Sequence, residues 1–135
     1  TAGKGSVAPV YSGSAGKVLL SELKEDEFLS LIEKIRLLSV GPNTITDKKE
    51  LIREVEKVRR QGYSVSIGEI VAGGASISVP VRNYICPVAL SLVGPDNRFS
   101  VDEMTDALKE MKKSANRISK KLRQFGPAEK KGPML

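Results

Sequence analysis

Ala75-Ser76-Ile77-Ser78-Val79-Pro80-Val81 alternates apolar with small polar side chains, the spacing of a β-strand with two unlike faces. Tyr63-Ser64-Val65-Ser66-Ile67 carries the same pattern upstream, and Val88-Ala89-Leu90-Ser91-Leu92-Val93 supplies a third strand. Gly73-Gly74 separates the first two, a tight connection near Asn83-Tyr84 leads into the third, and Gly94-Pro95-Asp96 closes it. The phases place Val65, Ile67, Ile77, Val79, Val81, Val88, Leu90 and Leu92 on one face, expected to be the core face. Ser64, Ser66, Ser76, Ser78, Ala89, Ser91 and Val93 fall on the other. Solvent is the ordinary destination of a polar sheet face. Solvated strands usually carry long charged side chains, however, and these carry almost none. Small hydroxyl-bearing residues leave volume unfilled and supply donors and acceptors, so this face reads better as a pocket wall.

Helices flank the strands. A first helix is expected over about Ala15 to Leu23. Lys24-Glu25-Asp26-Glu27 then gives an acidic first turn, followed by Phe28, Leu29, Leu31, Ile32 and Ile35 at helical spacing. Gly41-Pro42-Asn43 breaks that helix, Thr46-Asp47 starts the next, and Gly62 stands where a C′ glycine belongs. Near the end, Ser100 and Glu103 form a capping box, with Phe99 and Met104 placed for a hydrophobic staple. Val101, Met104, Leu108, Met111, Ala115, Ile118, Leu122 and Phe125 follow at steps of three and four. That seam could join another chain, but packing on the domain's own sheet is the simpler expectation. Gly126-Pro127 ends the helix. The order of elements predicts an α+β fold: an antiparallel sheet, helices packed on one face, and a long C-terminal helix.

The chain of 135 residues suits one domain over 1–125, opening on a loop or short edge strand at 1–11, before a flexible tail at 126–135. It contains no histidine and one cysteine. The first absence removes the commonest general base and metal ligand together, and with them serine-histidine, cysteine-histidine and zinc-hydrolase chemistry. No paired-carboxylate constellation stands out either. The lone cysteine rules out an internal disulfide, and Cys86 beside Pro87 reads as a small buried hydrophobe. No apolar run approaches a membrane span and no signal peptide opens the chain, which favours a cytoplasmic protein. The net charge of +6 gathers late, along the last helix. Lys113, Arg117 and Lys120 there could contact nucleic acid, although a solvated basic face is the simpler reading.

Ser12-Gly13-Ser14-Ala15-Gly16-Lys17 runs straight into Val18-Leu19-Leu20. A helix start made of small residues leaves backbone N–H groups open to a close-approaching carboxylate or phosphate. By itself the spacing is better explained by an ordinary capped helix after a loop, since most caps bind nothing. It is not a Walker A loop, because Tyr11 and Val18 occupy positions that need Gly and Ser or Thr. Lys17 is expected to be a solvated lysine. An electrophilic or Schiff-base role for it lacks a partner acid or base placed by the sequence.

Tyr11-Ser-Gly-Ser-Ala-Gly-Lys-Val-Leu-Leu20, Thr44-Ile-Thr-Asp47, Arg60-Gln-Gly-Tyr63 and Ser91-Leu-Val-Gly-Pro95 fall in the order and spacing of one family. From about residue 8 to 123 the chain resembles the C-terminal effector-binding domain of IclR-type transcriptional regulators. The resemblance implies a GAF-like fold and a small-molecule effector, in several members a small carboxylate. It places the carboxylate-binding amides at Ser14 and Ala15 and the ligand-facing strand positions at Ser66, Ser76 and Ser91. All three serines lie on the face that alternation had already set apart. Ser66 stands where well-studied members carry Asp, Ser76 where they often carry Cys, and Val93 replaces a frequent Ser. These departures widen the effector class beyond glyoxylate- or pyruvate-like acids. Some members hold a metal through histidine; with none here, no metal site and no cofactor are expected.

The resemblance also implies a dimer or tetramer. DNA would be bound by a winged helix-turn-helix domain that this chain lacks, along with the usual opening helix and first strands. Thr1 is not an initiator, consistent with a fragment or a processed product. The expected function is effector sensing and oligomerisation, without catalysis. Direct nucleic-acid binding by the basic last helix is the alternative.

Overall fold

The computed structural model describes residues 4–5 and 9–125. Helix α1 spans Ser14–Ser21, α2 Glu25–Lys34 and α3 Lys48–Gln61; strands β1 (Ser64–Ile67), β2 (Gly74–Val81) and β3 (Val88–Pro95) follow, and α4 (Val101–Gln124) ends the fold. The strands form one antiparallel sheet in the order β1-β2-β3. Its register sets Ser66 opposite Ser76, Ser64 opposite Ser78, and Ser78 opposite Ser91. The α+β class, the antiparallel sheet and the long last helix are as the sequence predicts.

The helix ends obey local chemistry. Asp47 accepts a hydrogen bond from the Lys49 N–H at the start of α3, and Gly62 closes that helix in the left-handed conformation. At α4 the capping box is complete: the Ser100 Oγ accepts from the Glu103 N–H at 3.2 Å, and the Glu103 carboxylate accepts from the Ser100 N–H at 3.3 Å. Phe99 and Met104 pack against the same apolar cluster. The predicted stop at Gly126-Pro127 and the tail lie outside the described residues.

Helices cover both faces of the sheet, not one. Met111 and Ala115 of α4 pack on Ile77, Val79 and Val81 of β2. On the opposite face α1 lies against the strands. Beyond α1, Leu20 joins Phe28 and Ile32 of α2 and Leu51 and Val55 of α3 in a second cluster. Helix α1 is therefore covered over most of its surface: Ser14, Gly16, Lys17, Val18, Leu20 and Ser21 are buried, and Ala15 and Leu19 half-buried. The serine face is the seat of this helix, because small side chains let a helix approach a sheet closely. In β1 the expected burial is consequently inverted: Ser64 and Ser66 are buried, whereas Ile67 is 45% exposed.

Three further expectations need correction. Cys86 is exposed; it lies in the β2–β3 connection, outside either apolar cluster. The seam of α4 is shorter than its periodicity, since Val101, Ile118 and Phe125 are exposed. Strand β3 also runs on through Gly94 to Pro95, which pair with Ala75 and Gly74.

Gly16 is where α1 meets the chain entering it. A Cβ there would collide with the Val10 carbonyl. Gly→Ala within a helix ordinarily stabilises by about 1 kcal/mol. Gly16→Ala should instead destabilise by about 1–3 kcal/mol through overpacking, read as a lowered urea midpoint with unchanged slope.

Candidate functional site

The start of α1 is held by an ion pair that the sequence did not disclose. The Lys17 Nζ lies 2.7 Å from the Glu69 Oε2, with side chains only 1% and 8% exposed. The same ammonium donates to the Val65 carbonyl at 2.9 Å. The other carboxylate oxygen of Glu69 accepts from the Gly13 N–H at 3.2 Å. The Glu69 carbonyl in turn accepts from the hydroxyls of Ser12 and Thr44. Glu69 thus ties the segment between β1 and β2 to the loop before α1, to α1 itself and to the loop before α3. Lys17 is not a solvated lysine. Its amine is committed to a carboxylate and a carbonyl, and this leaves it poorly placed as a nucleophile.

Gly13, the N-cap residue of α1, has a φ of 87°, a left-handed value that favours glycine. A Cβ there would also stand 2.7 Å from the Ile70 Cδ1. The segment bearing Glu69 therefore closes against the helix start by both charge and shape.

Above this frame sits a chain of four hydroxyls. The Ser14 Oγ lies 2.6 Å from that of Ser76 and 2.7 Å from that of Ser78, and the Ser78 Oγ lies 2.6 Å from that of Ser91. The chain runs from buried Ser14 and Ser78 out to exposed Ser91, beside Val93, which is 74% exposed. The first two residues of a helix have N–H groups without intrahelical acceptors. Among the described residues nothing accepts from those of Ser14 and Ala15.

The structure thus brings Ser14, Ser76 and Ser91 together, with the Ala15 amide at the same helix start. Ser66 faces Ser76 across the register, but no hydrogen bond joins it to the others among the described residues. Ser78 is the hub of the cluster. Alternation placed it on the right face, yet only its register against Ser91 and its distance from Ser14 reveal its position. Ser64, opposite Ser78, has a buried hydroxyl with no hydrogen-bond partner among the described residues. The hydroxyls occupy much of the space the alternation had assigned to a pocket. Cavities of about 520, 440 and 280 Å³ open elsewhere, against α4 and the β2–β3 connection. Among the described residues no group of three or more Cys, Asp or Glu side chains is placed to hold a metal ion. No helix there is long and apolar enough to cross a membrane.

This fold has counterparts in a known class, the C-terminal domains of bacterial transcriptional regulators. The profile described as "Bacterial transcriptional regulator IclR C-terminal" matches residues 1–120, and the chain belongs to the IclR family. It is 32% identical over 120 residues to the HTH-type transcriptional regulator KipR of Bacillus subtilis, covering 87% of this chain and 48% of that protein. Among solved structures, the IclR of Thermotoga maritima superposes with a TM-score of 0.78 at 33% identity, covering 84% of this chain and 47% of that one. The inducer-binding domain of a PobR double mutant from Acinetobacter, in complex with 3-hydroxybenzoic acid, gives a TM-score of 0.76 at 32% identity, over 83% and 66% of the two chains. The chain spans about half the length of the curated relatives it matches.

The ion pair gives a direct test of the frame. Lys17→Met leaves Glu69 charged and buried without a partner, and should cost about 3–5 kcal/mol. Adding Glu69→Gln removes the orphaned charge while keeping an acceptor for Gly13, so the double variant should recover part of the loss. A denaturation cycle on the two singles and the double should show coupling of about 0.5–3 kcal/mol.

Proposed function

We propose that this chain is the effector-sensing and oligomerisation domain of an IclR-type transcriptional regulator. One observation carries the reading: the Ser14 hydroxyl joins those of Ser76, Ser78 and Ser91 in one cluster, at a helix start held by Lys17 and Glu69 whose Ser14 and Ala15 amides find no acceptor among the described residues. Amides at a helix start suit a carboxylate, and hydroxyls can donate to it or accept from a ligand hydroxyl. The charge of Lys17 is already neutralised by Glu69, so the effector would be read by N–H and O–H dipoles. Ser66 would line the ligand's far side. The solved relative with 3-hydroxybenzoic acid supports a small hydroxylated carboxylate as the effector class.

Sensing operates by population shift. An effector that prefers one arrangement of subunits moves the equilibrium toward it, with coupling of about 1–3 kcal/mol. In a homodimer or homotetramer this alters the spacing of winged helix-turn-helix domains carried outside this chain, through which DNA is contacted. The role needs no metal, cofactor, membrane or catalysis, and a regulator acting on DNA works in the cytoplasm.

Calorimetry against a panel of small aliphatic and aromatic hydroxy acids tests the site. Ser14→Pro suits the first turn of a helix, where proline is tolerated, yet it deletes one amide donor and the hydroxyl. Since hydrogen bonds to charged groups contribute about 1.5–3 kcal/mol, affinity for any acid that binds should fall at least about tenfold. Unchanged binding by a folded Ser14→Pro protein places the site elsewhere.

A further inference from the structure

We infer that the groove between the end of β2 and the outer half of α4 is a binding site for a phosphate-bearing anion. This inference is independent of the effector site. The groove encloses a cavity of about 440 Å³, and its lining includes Arg82, Lys112, Lys120 and Arg123 but no carboxylate. Arg82 comes from β2's exit and the other three from α4, so residues distant in sequence converge on one concavity.

The walls are preorganised. The Arg82 N–H donates to the Ser119 Oγ at 2.9 Å, and the Asn83 Nδ2 donates to the Ser119 carbonyl at 2.8 Å. These two bonds fasten the strand end to the helix and fix the groove's width. The Lys112 ammonium is steadied 5.3 Å from the centre of the Tyr63 ring. Lys120 and Arg123 form no ion pair among the described residues. Arg82 spends only its Nε on Glu22, at 3.0 Å, which leaves its two Nη groups to form a bidentate fork with an oxyanion. Four cations against the single carboxylate of Glu22 exceed what one carboxylate ligand would neutralise. They match a phosphate or a short run of phosphates. Two sources share that chemistry, a free polyphosphate or phosphorylated metabolite and the backbone of nucleic acid.

Titration of this chain with inorganic tripolyphosphate by calorimetry, near 0.15 M salt, is the test, with competition by a short DNA duplex as its second arm. Two variants of equal charge change separate a site from a diffuse field. Lys112→Gln/Lys120→Gln should weaken tripolyphosphate binding by about tenfold or more, and Lys113→Gln/Lys121→Gln, outside the groove, by less than about threefold. Glu22→Gln, which removes the one carboxylate that pairs with these cations, should tighten binding severalfold. Displacement of tripolyphosphate by DNA, with the same dependence on the groove lysines, identifies a nucleic-acid backbone as the source. Tripolyphosphate binding that DNA does not disturb identifies a free phosphate ligand. Equal losses in both double variants, or no binding of either probe, overturn the inference.

Discussion

The placement of α1 depends on the buried ion pair between Lys17 and Glu69. Neither charge would enter the interior alone, because desolvation costs several kcal/mol per ion. Each is buried because the other is there and because a carbonyl and an amide complete the coordination. The pair holds the β1–β2 segment against the start of α1, and the Glu69 carbonyl extends the hold to Ser12 and Thr44. Once α1 is fixed in this way, its Ser14 hydroxyl meets those of Ser76 and Ser78 at a set distance.

The sheet then serves two helical layers by different means. Toward α4 it presents Ile77, Val79 and Val81, and contact with Met111 and Ala115 is stabilised by apolar burial. Toward α1 it presents serines. Little hydrophobic gain is available there, and close approach is secured by hydroxyl-to-hydroxyl bonds instead. Such an interface is specific in geometry and modest in free energy, since a hydrogen bond contributes about 0.5–1.5 kcal/mol net.

Most of the architecture was legible because it rests on local rules. The capping box at Ser100, the left-handed Gly62 and the presence of the three strands each follow from short-range chemistry, although in β1 the burial of the two faces is the reverse of the expected one. What escaped was long-range. Glu69 looks like one acid in a glycine-bounded turn, and nothing in its neighbourhood announces Lys17, which lies 52 residues away. The serine face was singled out correctly, but its covering by α1 depends on a tertiary approach that small side chains permit without requiring. Ser14, Ser76 and Ser91, whose hydroxyls belong to one cluster, had been singled out by strand periodicity and family resemblance together. Ser78, their hub, was hidden because its importance lies in cross-strand register.

The hydroxyl chain from Ser76 through Ser14 and Ser78 to Ser91 has no intrinsic direction, for either member of each pair can be the donor. If every hydroxyl donates toward Ser91, the exposed end offers a hydrogen; if every one donates the other way, it offers lone pairs. The two states differ by a concerted rotation of light atoms, and mutual polarisation keeps each internally consistent. The mouth of the cluster is therefore a reversible contact, able to satisfy a ligand's acceptor or its donor without moving a single heavy atom of the fold.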